Sequence, residues 1–159
     1  MGEIGSVTRF EGRGVALDCP VGWWLGDDGR NANLPLLLCV AAPVSHDGFS
    51  PNVVITEGKM DSRETLAHWV SESVELLQRI FPGFHLIDMT DSEVAGQPAM
   101  WLVACYTSKG WPLIVFQWLW LERGGRCRVT ATGTCTLQVC GEMEPVFTGI
   151  VQSYRRQEQ

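Results

Sequence analysis

Apolar positions change their period along the chain, and each change marks an element. After a polar start, Gly14-Val15-Ala16-Leu17-Asp18-Cys19 predicts a short strand ended by Pro20. The turn Val21-Gly22-Trp23-Trp24 and a Gly- and Asp-rich loop over 26–33 follow. Residues 34–42 and 52–56 are apolar and partly β-branched, and Pro, Ser, Asp and Gly crowd the stretch 43–51 between them. That combination predicts a hairpin with an irregular loop. Over 62–81 the period becomes helical: Leu66, Trp69, Val70, Val74, Leu77, Ile80 and Phe81 form one stripe. Asp61 with Glu64 three residues on suits a capping arrangement, and Pro82-Gly83 ends the helix.

From Phe84 the pattern turns extended, over 84–94, 97–107, 111–121 and 126–135. The links Ala95-Gly96, Ser108-Lys109-Gly110 and Glu122-Arg123-Gly124-Gly125 are short and carry Gly, which predicts an antiparallel meander. The segment 111–121 is apolar on both faces, with Leu113, Val115 and Leu119 on one and Ile114, Phe116, Trp118 and Trp120 on the other, so both sides of the sheet centre must be covered. Met143, Val146, Phe147, Ile150, Val151 and Tyr154 predict a second helix for one side, with Pro145 in its first turn. A loop over 122–125 would set Trp118 opposite Val129, Phe116 opposite Ala131 and Ile114 opposite Gly133, large against small on the face a helix approaches. The other face of that strand, Arg126, Arg128, Thr130, Thr132 and Thr134, reads as polar and wet.

The 159 residues suit one domain with a sizeable core. With 45% hydrophobic and 19% charged residues, disorder, collagen repeats and coiled coils are excluded. The net charge of -6, with scattered basic residues, makes nucleic acid and anionic membrane poor partners. There is no secretory leader pattern in the first 21 residues and no long apolar run, so the expected location is the cytoplasm, without membrane insertion. Met1-Gly2-Glu3-Ile4-Gly5-Ser6 fits a short acylation pattern that needs a eukaryotic host. Leu36-Leu37-Leu38-Cys39 resembles a lipoprotein cleavage site but follows Asp27 and Asp28, and reads as a buried strand. In that compartment the six cysteines at 19, 39, 105, 127, 135 and 140 are expected as thiols.

Three groups invite chemistry. His46-Asp47, near Ser45 and Ser50, has the composition of an acid-base pair, yet turns need the same residues for backbone reasons. Glu64, His68 and Glu72, at i, i+4 spacing on the helix's outer face, have metal-ligand chemistry but read as a solvated charged face. Cys105, Cys127 and Cys135 occupy strand positions of small buried residues and are expected to be inert. No catalytic residue, metal site or cofactor is assigned, and no nucleophile-elbow, zinc-protease, P-loop or dinucleotide motif is present. Trp23 reads as core. Trp24, the next residue of an extended segment, points the other way, and either faces solvent as a partner anchor or is covered by the loop over 26–33.

Four motifs in order carry a family resemblance: Pro20-Val21-Gly22-Trp23; Phe49-Ser50-Pro51-Asn52-Val53-Val54-Ile55-Thr56 before the long helix; Val94-Ala95-Gly96-Gln97-Pro98-Ala99 between two strands; and Ile150-Val151-Gln152-Ser153-Tyr154 closing the last helix. Together they resemble the PsbP/Mog-like superfamily, most nearly its bacterial LpqN-type and DcrB-type members. The resemblance spans 14–155, leaving an N-terminal segment 1–13 and a tail 156–159. It implies an α+β fold, an antiparallel sheet of six to seven strands flanked by helices in an α/β/α sandwich. It also implies a mostly non-enzymatic role as assembly factor, adaptor or chaperone-like protein, here a cytoplasmic relative linked to bacterial secretion, since the exported lipoprotein pattern of LpqN-type members is missing. The expected partner is another protein, met by Trp24, His46, Asp47 and Phe49, with a homodimer through a sheet face or edge as a further association. The alternative is a small apolar ligand held between sheet and helix; an enzyme ranks third.

Overall fold

Pairs of left-handed residues lay out the strands. Arg13-Gly14 (φ 48° and 83°), Ala95-Gly96 (51° and 78°) and Lys109-Gly110 (51° and 82°) each reverse the chain in two residues, the twist-matched hairpin turn. In the computed structural model, which describes residues 6–26, 36–60 and 62–157, these turns connect ten strands and two α-helices. The strands are β1 (Val7–Gly12), β2 (Val15–Pro20), β3 (Trp24–Leu25), β4 (Leu36–Ala41), β5 (Asn52–Lys59), β6 (His85–Val94), β7 (Gln97–Ser108), β8 (Trp111–Glu122), β9 (Cys127–Thr136) and β10 (Arg155–Arg156); the helices are α1 (Leu66–Ile80) and α2 (Cys140–Gln152). A seven-stranded sheet runs β3-β4-β5-β9-β8-β7-β6, and β1-β2-β10 form a small second sheet; every pairing is antiparallel. The expected α+β sandwich is borne out, as are the hairpin before the long helix and the four-strand meander. The loop over 27–33, the Asp61 cap and the acylation pattern at Met1-Gly2 lie outside the described residues.

Both faces of β8 are covered, as its composition requires. On one side Ile114, Phe116, Trp118 and Trp120 join α2 residues Phe147, Ile150 and Val151 and the small-sheet residues Val15 and Leu17 in the main core. On the other, Val115 and Leu119 pack with Leu102, Ala104, Trp69 and Val70 beneath α1. The register of the last hairpin differs from expectation by two residues: Trp118 faces Ala131, Phe116 faces Gly133 and Ile114 faces Cys135. The turn is Arg123 to Arg126, because Glu122 remains in the ladder opposite Cys127. A shift of two keeps every side chain on its face, so the large-against-small logic survives. Phe147 of α2 lies so close to Gly133 that a Cβ there would sit 2.7 Å from its ring.

The helices start differently from their patterns. Thr65 caps α1, its hydroxyl accepting from the His68 amide at 3.3 Å. Ile80, placed by period in the buried stripe, is exposed, while Phe81 leaves the helix and packs on Tyr106 with ring centroids 4.4 Å apart. α2 begins at Cys140, so Pro145 falls in its second turn, where it removes only the hydrogen bond owed to the carbonyl of solvent-exposed Gly141.

The chain ends are tied in by pairing and by ions. β1, within the segment before residue 14, pairs along its length with β2, and Arg155 and Arg156 of β10 pair with Ala16 and Val15. Arg156 also reaches Glu122 of β8 (2.6 Å) and Glu57 of β5 (3.1 Å). Glu122 in turn accepts from the Trp120 indole N–H (2.9 Å) and the Tyr154 hydroxyl (3.0 Å).

Candidate partner-binding site

Strand order brings together what the sequence keeps apart. Trp24 opens β3 opposite Ala41, the last residue of β4; the Ala42 amide bonds the Pro51 carbonyl; and Asn52 of β5 lies opposite Thr134 near the end of β9. The β2–β3 turn, the loop over 42–51, the end of β9 and the start of β8 therefore share one end of the large sheet. A Cβ on Gly22 would lie 3.6 Å from Pro43, which places the first two of these in contact. Trp24 is 43% exposed while Trp23 beside it is buried; the loop named as its alternative cover lies outside the described residues from 27 on.

Inside the loop, Asp47 works on the backbone. Its carboxylate accepts from the Thr136 hydroxyl and, at 3.0 Å, from the Phe49 amide, and these bonds hold its pKa below the usual carboxylate range. The Ser45 and Phe49 backbones close the turn, with the Ser45 amide 2.8 Å from the Phe49 carbonyl. Asp47 is thus a loop fastener, and His46 stands exposed beside it. Phe49 is half-buried, its ring edge-on to Trp111 at 5.7 Å, so it presents an aromatic pair rather than a lone side chain. Sequence reasoning missed the rest of this surface: Val21 and Val44 are 64% and 61% exposed, and Leu137 follows Thr136 in the open. Each is isolated along the chain, so no periodicity marks it. From Trp24 on β3 to Trp111 on β8 are four strand spacings, about 19 Å. That is a fair part of the width of a specific protein interface of about 800 Å² per partner.

Glu64, His68 and Glu72 do come together, their ligand atoms within 4.8 Å of one another. The expectation of an outer, solvated helix face is corrected in one respect: Arg128 of β9 rises from the sheet into the group. Its Nη2 lies 2.7 Å from Glu64 and 3.1 Å from Glu72, with the guanidinium 5.5 Å from the centre of the Trp69 ring. His68 Nδ1 bonds Glu64 at 2.8 Å, which raises the imidazole pKa, and Glu72 adds to the rise. The His68 bond and then Arg128 lower that of Glu64. The arginine supplies the cation between the carboxylates, and the group fastens α1 to the sheet. Arg128 was read as part of a wet face because its partners stand 64 and 56 residues away.

The thiols are placed as their sequence positions suggest. Cys19 and Cys135 are buried, and burial pushes both up to about 12; Cys127, buried beside Glu57, is pushed up to about 11. Such thiols are poor nucleophiles. Cys105 departs from the expectation in being only half-buried.

No protein-family model and no curated protein matches the sequence. Solved structures do match in fold. LpqN of Mycobacterium tuberculosis, involved in cell envelope biogenesis, superposes with a TM-score of 0.71 at 17% identity, over 99% of this chain and 87% of LpqN. Cyanobacterial PsbP (CyanoP) of Synechocystis sp. PCC 6803 gives 0.68 at 15% identity, over 98% and 96% of the two chains. The Saccharomyces cerevisiae Ran-binding protein Mog1p gives 0.64 at 8% identity, over 96% of each. The fold is PsbP/Mog-like, as the four motifs imply.

Proposed function

We propose that this PsbP/Mog-like chain is a non-catalytic protein-binding domain, an adaptor or chaperone-like factor that meets its partner at the sheet end bearing Trp24 and the loop over 43–50. One observation carries the reading: a tryptophan 43% exposed shares that end with three exposed aliphatic residues and the Phe49–Trp111 pair. Tryptophan gains much on burial in an interface and is costly to leave in water. That Mog1p is a Ran-binding protein supports polypeptide recognition on this fold. A cytoplasmic setting and a link to secretion belong to the same proposal, resting on the sequence alone.

The small-ligand alternative draws less support. On the α2 side, the space between sheet and helix is filled by Phe147 against Gly133 and by Trp118, which is 2% exposed. Four clefts among the described residues hold 190–310 Å³ and open to the surface. That is small against the roughly 300–1,000 Å³ of ordinary ligand sites.

Affinity capture with the wild-type chain, Trp24→Ala and Glu75→Ala, read by native mass spectrometry, tests the proposal. A polypeptide retained by wild type and Glu75→Ala and lost from Trp24→Ala is the expected result. With that partner, Trp24→Ala should weaken binding by more than about 1 kcal/mol while leaving the melting temperature close to wild type. Equal capture by Trp24→Ala, or a co-purifying small molecule in place of a polypeptide, would overturn it. Phe49→Ala is the less clean probe, because it also strips Trp111 of its ring contact.

A further inference from the structure

The two edges of the large sheet differ. At one, β3 has two residues; at the other, β6 has ten, and no described strand pairs with its outer side. Long open edges invite pairing, and proteins blunt them with charged side chains, Pro, bulges or short strands; on β6 the charges are carboxylates and the irregularity lies between Leu86 and Asp88, away from Asp91. β6 contains neither Lys, Arg nor Pro. It exposes Leu86, Ile87 and Met89, with Asp88, Asp91 and Glu93 also exposed.

The two-residue turn at Ala95-Gly96 fixes which backbone groups point outward. Val94 and Gln97 flank it as a hydrogen-bonded pair, so Ser92, Thr90 and Asp88 bond inward to β7, while Glu93, Asp91 and Met89 turn their N–H and C=O groups away. Two independent contacts agree with that parity: Gln152 donates to the Glu93 carbonyl at 2.9 Å, and the Met89 amide donates to the Asp88 carboxylate at 2.8 Å. Asp91 is left as the residue presenting both an outward donor and an outward acceptor. We propose that this edge is a strand-addition site for an extended, basic segment of a partner polypeptide, paired antiparallel to β6 and centred on Asp91.

Side-chain placement sets the pattern such a segment needs. Met89, Asp91 and Glu93 alternate onto one face of β6. An antiparallel segment therefore sets a Lys or Arg opposite Glu93, a second opposite Asp91 two residues on, and an apolar residue opposite Met89 two further: basic-x-basic-x-apolar. A second copy of the chain fits poorly, because the self-pairing register centred on Asp91 places that carboxylate directly opposite its own copy, about 5 Å away, and like charges so placed repel. The inference is separate from the Trp24 surface, which lies at a sheet end rather than on this edge.

The probe is a labelled peptide Thr-Lys-Thr-Lys-Thr-Leu-Thr, with a Glu-for-Lys counterpart, titrated against the full chain by fluorescence anisotropy and amide hydrogen exchange. The expected result is saturable binding of the Lys peptide alone, with the Asp91 and Glu93 amides slowed by about tenfold or more at saturation. Asp91→Pro removes the outward donor without touching the ladder to β7 and should weaken binding by about tenfold or more, whereas Asp91→Asn should weaken it less. Trp24→Ala should leave the affinity unchanged, so failure here and failure of the proposed function are told apart. Unchanged exchange at Asp91 under a saturating Lys peptide, or full binding by Asp91→Pro, would overturn the proposal. So would a dimer in sedimentation that Asp91→Pro dissociates, since the edge would then belong to a second copy. If Asp91→Pro does not fold, exchange in the wild-type chain decides.

Discussion

Gly133 shows how much one hydrogen atom in place of a methyl can decide. It lies in the central strand β9 opposite Phe116, and the Phe147 ring of α2 descends onto its bare backbone. A Cβ there would stand 2.7 Å from two ring atoms, a spacing that packed side chains do not sustain, so Gly133→Ala must push α2 away or rotate Phe147 off its rotamer. The expected cost is about 1–3 kcal/mol in chemical denaturation. Phe147→Leu in the same background should return part of it, a coupling that a double-mutant cycle measures. A Gly133→Ala variant as stable as wild type would show that the helix does not rest on this residue. Alternation alone reveals that small residues line this face of β9. Which large residue meets which small one depends on whether Glu122 belongs to the turn or to the ladder, and its bonds to Trp120, Tyr154 and Arg156 keep it in the ladder. Tyr154 and Arg156 stand 32 and 34 residues away, so the register could not be read there.

At the scale of elements, α1 is legible as a helix from its stripe, but its means of attachment is not. Trp69 and Val70 are its buried residues, and beside them Arg128 crosses from the sheet to Glu64 and Glu72. The resulting ion group gives the helix a pH response whose sign follows from the shifts. The His68 pKa is raised above 6.5 in the folded chain, so its contribution is full below 6.5 and is lost as pH rises through the raised value. The Glu64 pKa is lowered from 4.5, so its contribution is present above 4.5 and is lost as pH falls through the lowered value. Amide protection of α1 should therefore be highest between 4.5 and 6.5 and decline as pH rises through the raised His68 value. His68→Gln should remove the decline on the alkaline side and shrink the acid-side loss without abolishing it, because Arg128 still lowers the Glu64 pKa. The same alkaline decline in His68→Gln would assign it to another group. The His68 side chain is 63% exposed, so its part of the response is local and weakens with salt.

Over the whole molecule, burial dictates where a partner can bind. α1 covers β7 and β8 on one face of the large sheet, and α2 and the small sheet cover the other; among the described residues, the Trp24 end and the β6 edge are two places where apolar or unpaired groups gather. The sandwich was legible because turns, periods and two-sided burial of β8 agree with one another. The small sheet was not, since β1 reads as polar and β10 has only two residues. Beside the core contacts of Val15 and Leu17, Arg156 ties this sheet down: its guanidinium joins Glu122 and Glu57 with all three side chains at least three-quarters buried. Removing the cation from such a group leaves two carboxylates close together without their counter-charge, a heavier loss than that of the pair's own net energy. Arg156→Met keeps an unbranched apolar stem without the guanidinium, and should cost about 2 kcal/mol or more in chemical denaturation. Hydrogen exchange should quicken first at Val15 and Ala16, the residues β10 pairs with. Adding Glu57→Gln should recover part of the loss, because it removes one of the unpaired charges. A cost under about 0.5 kcal/mol for Arg156→Met would mean that β2 is held by the main core alone and that the closing strand is only laid against it.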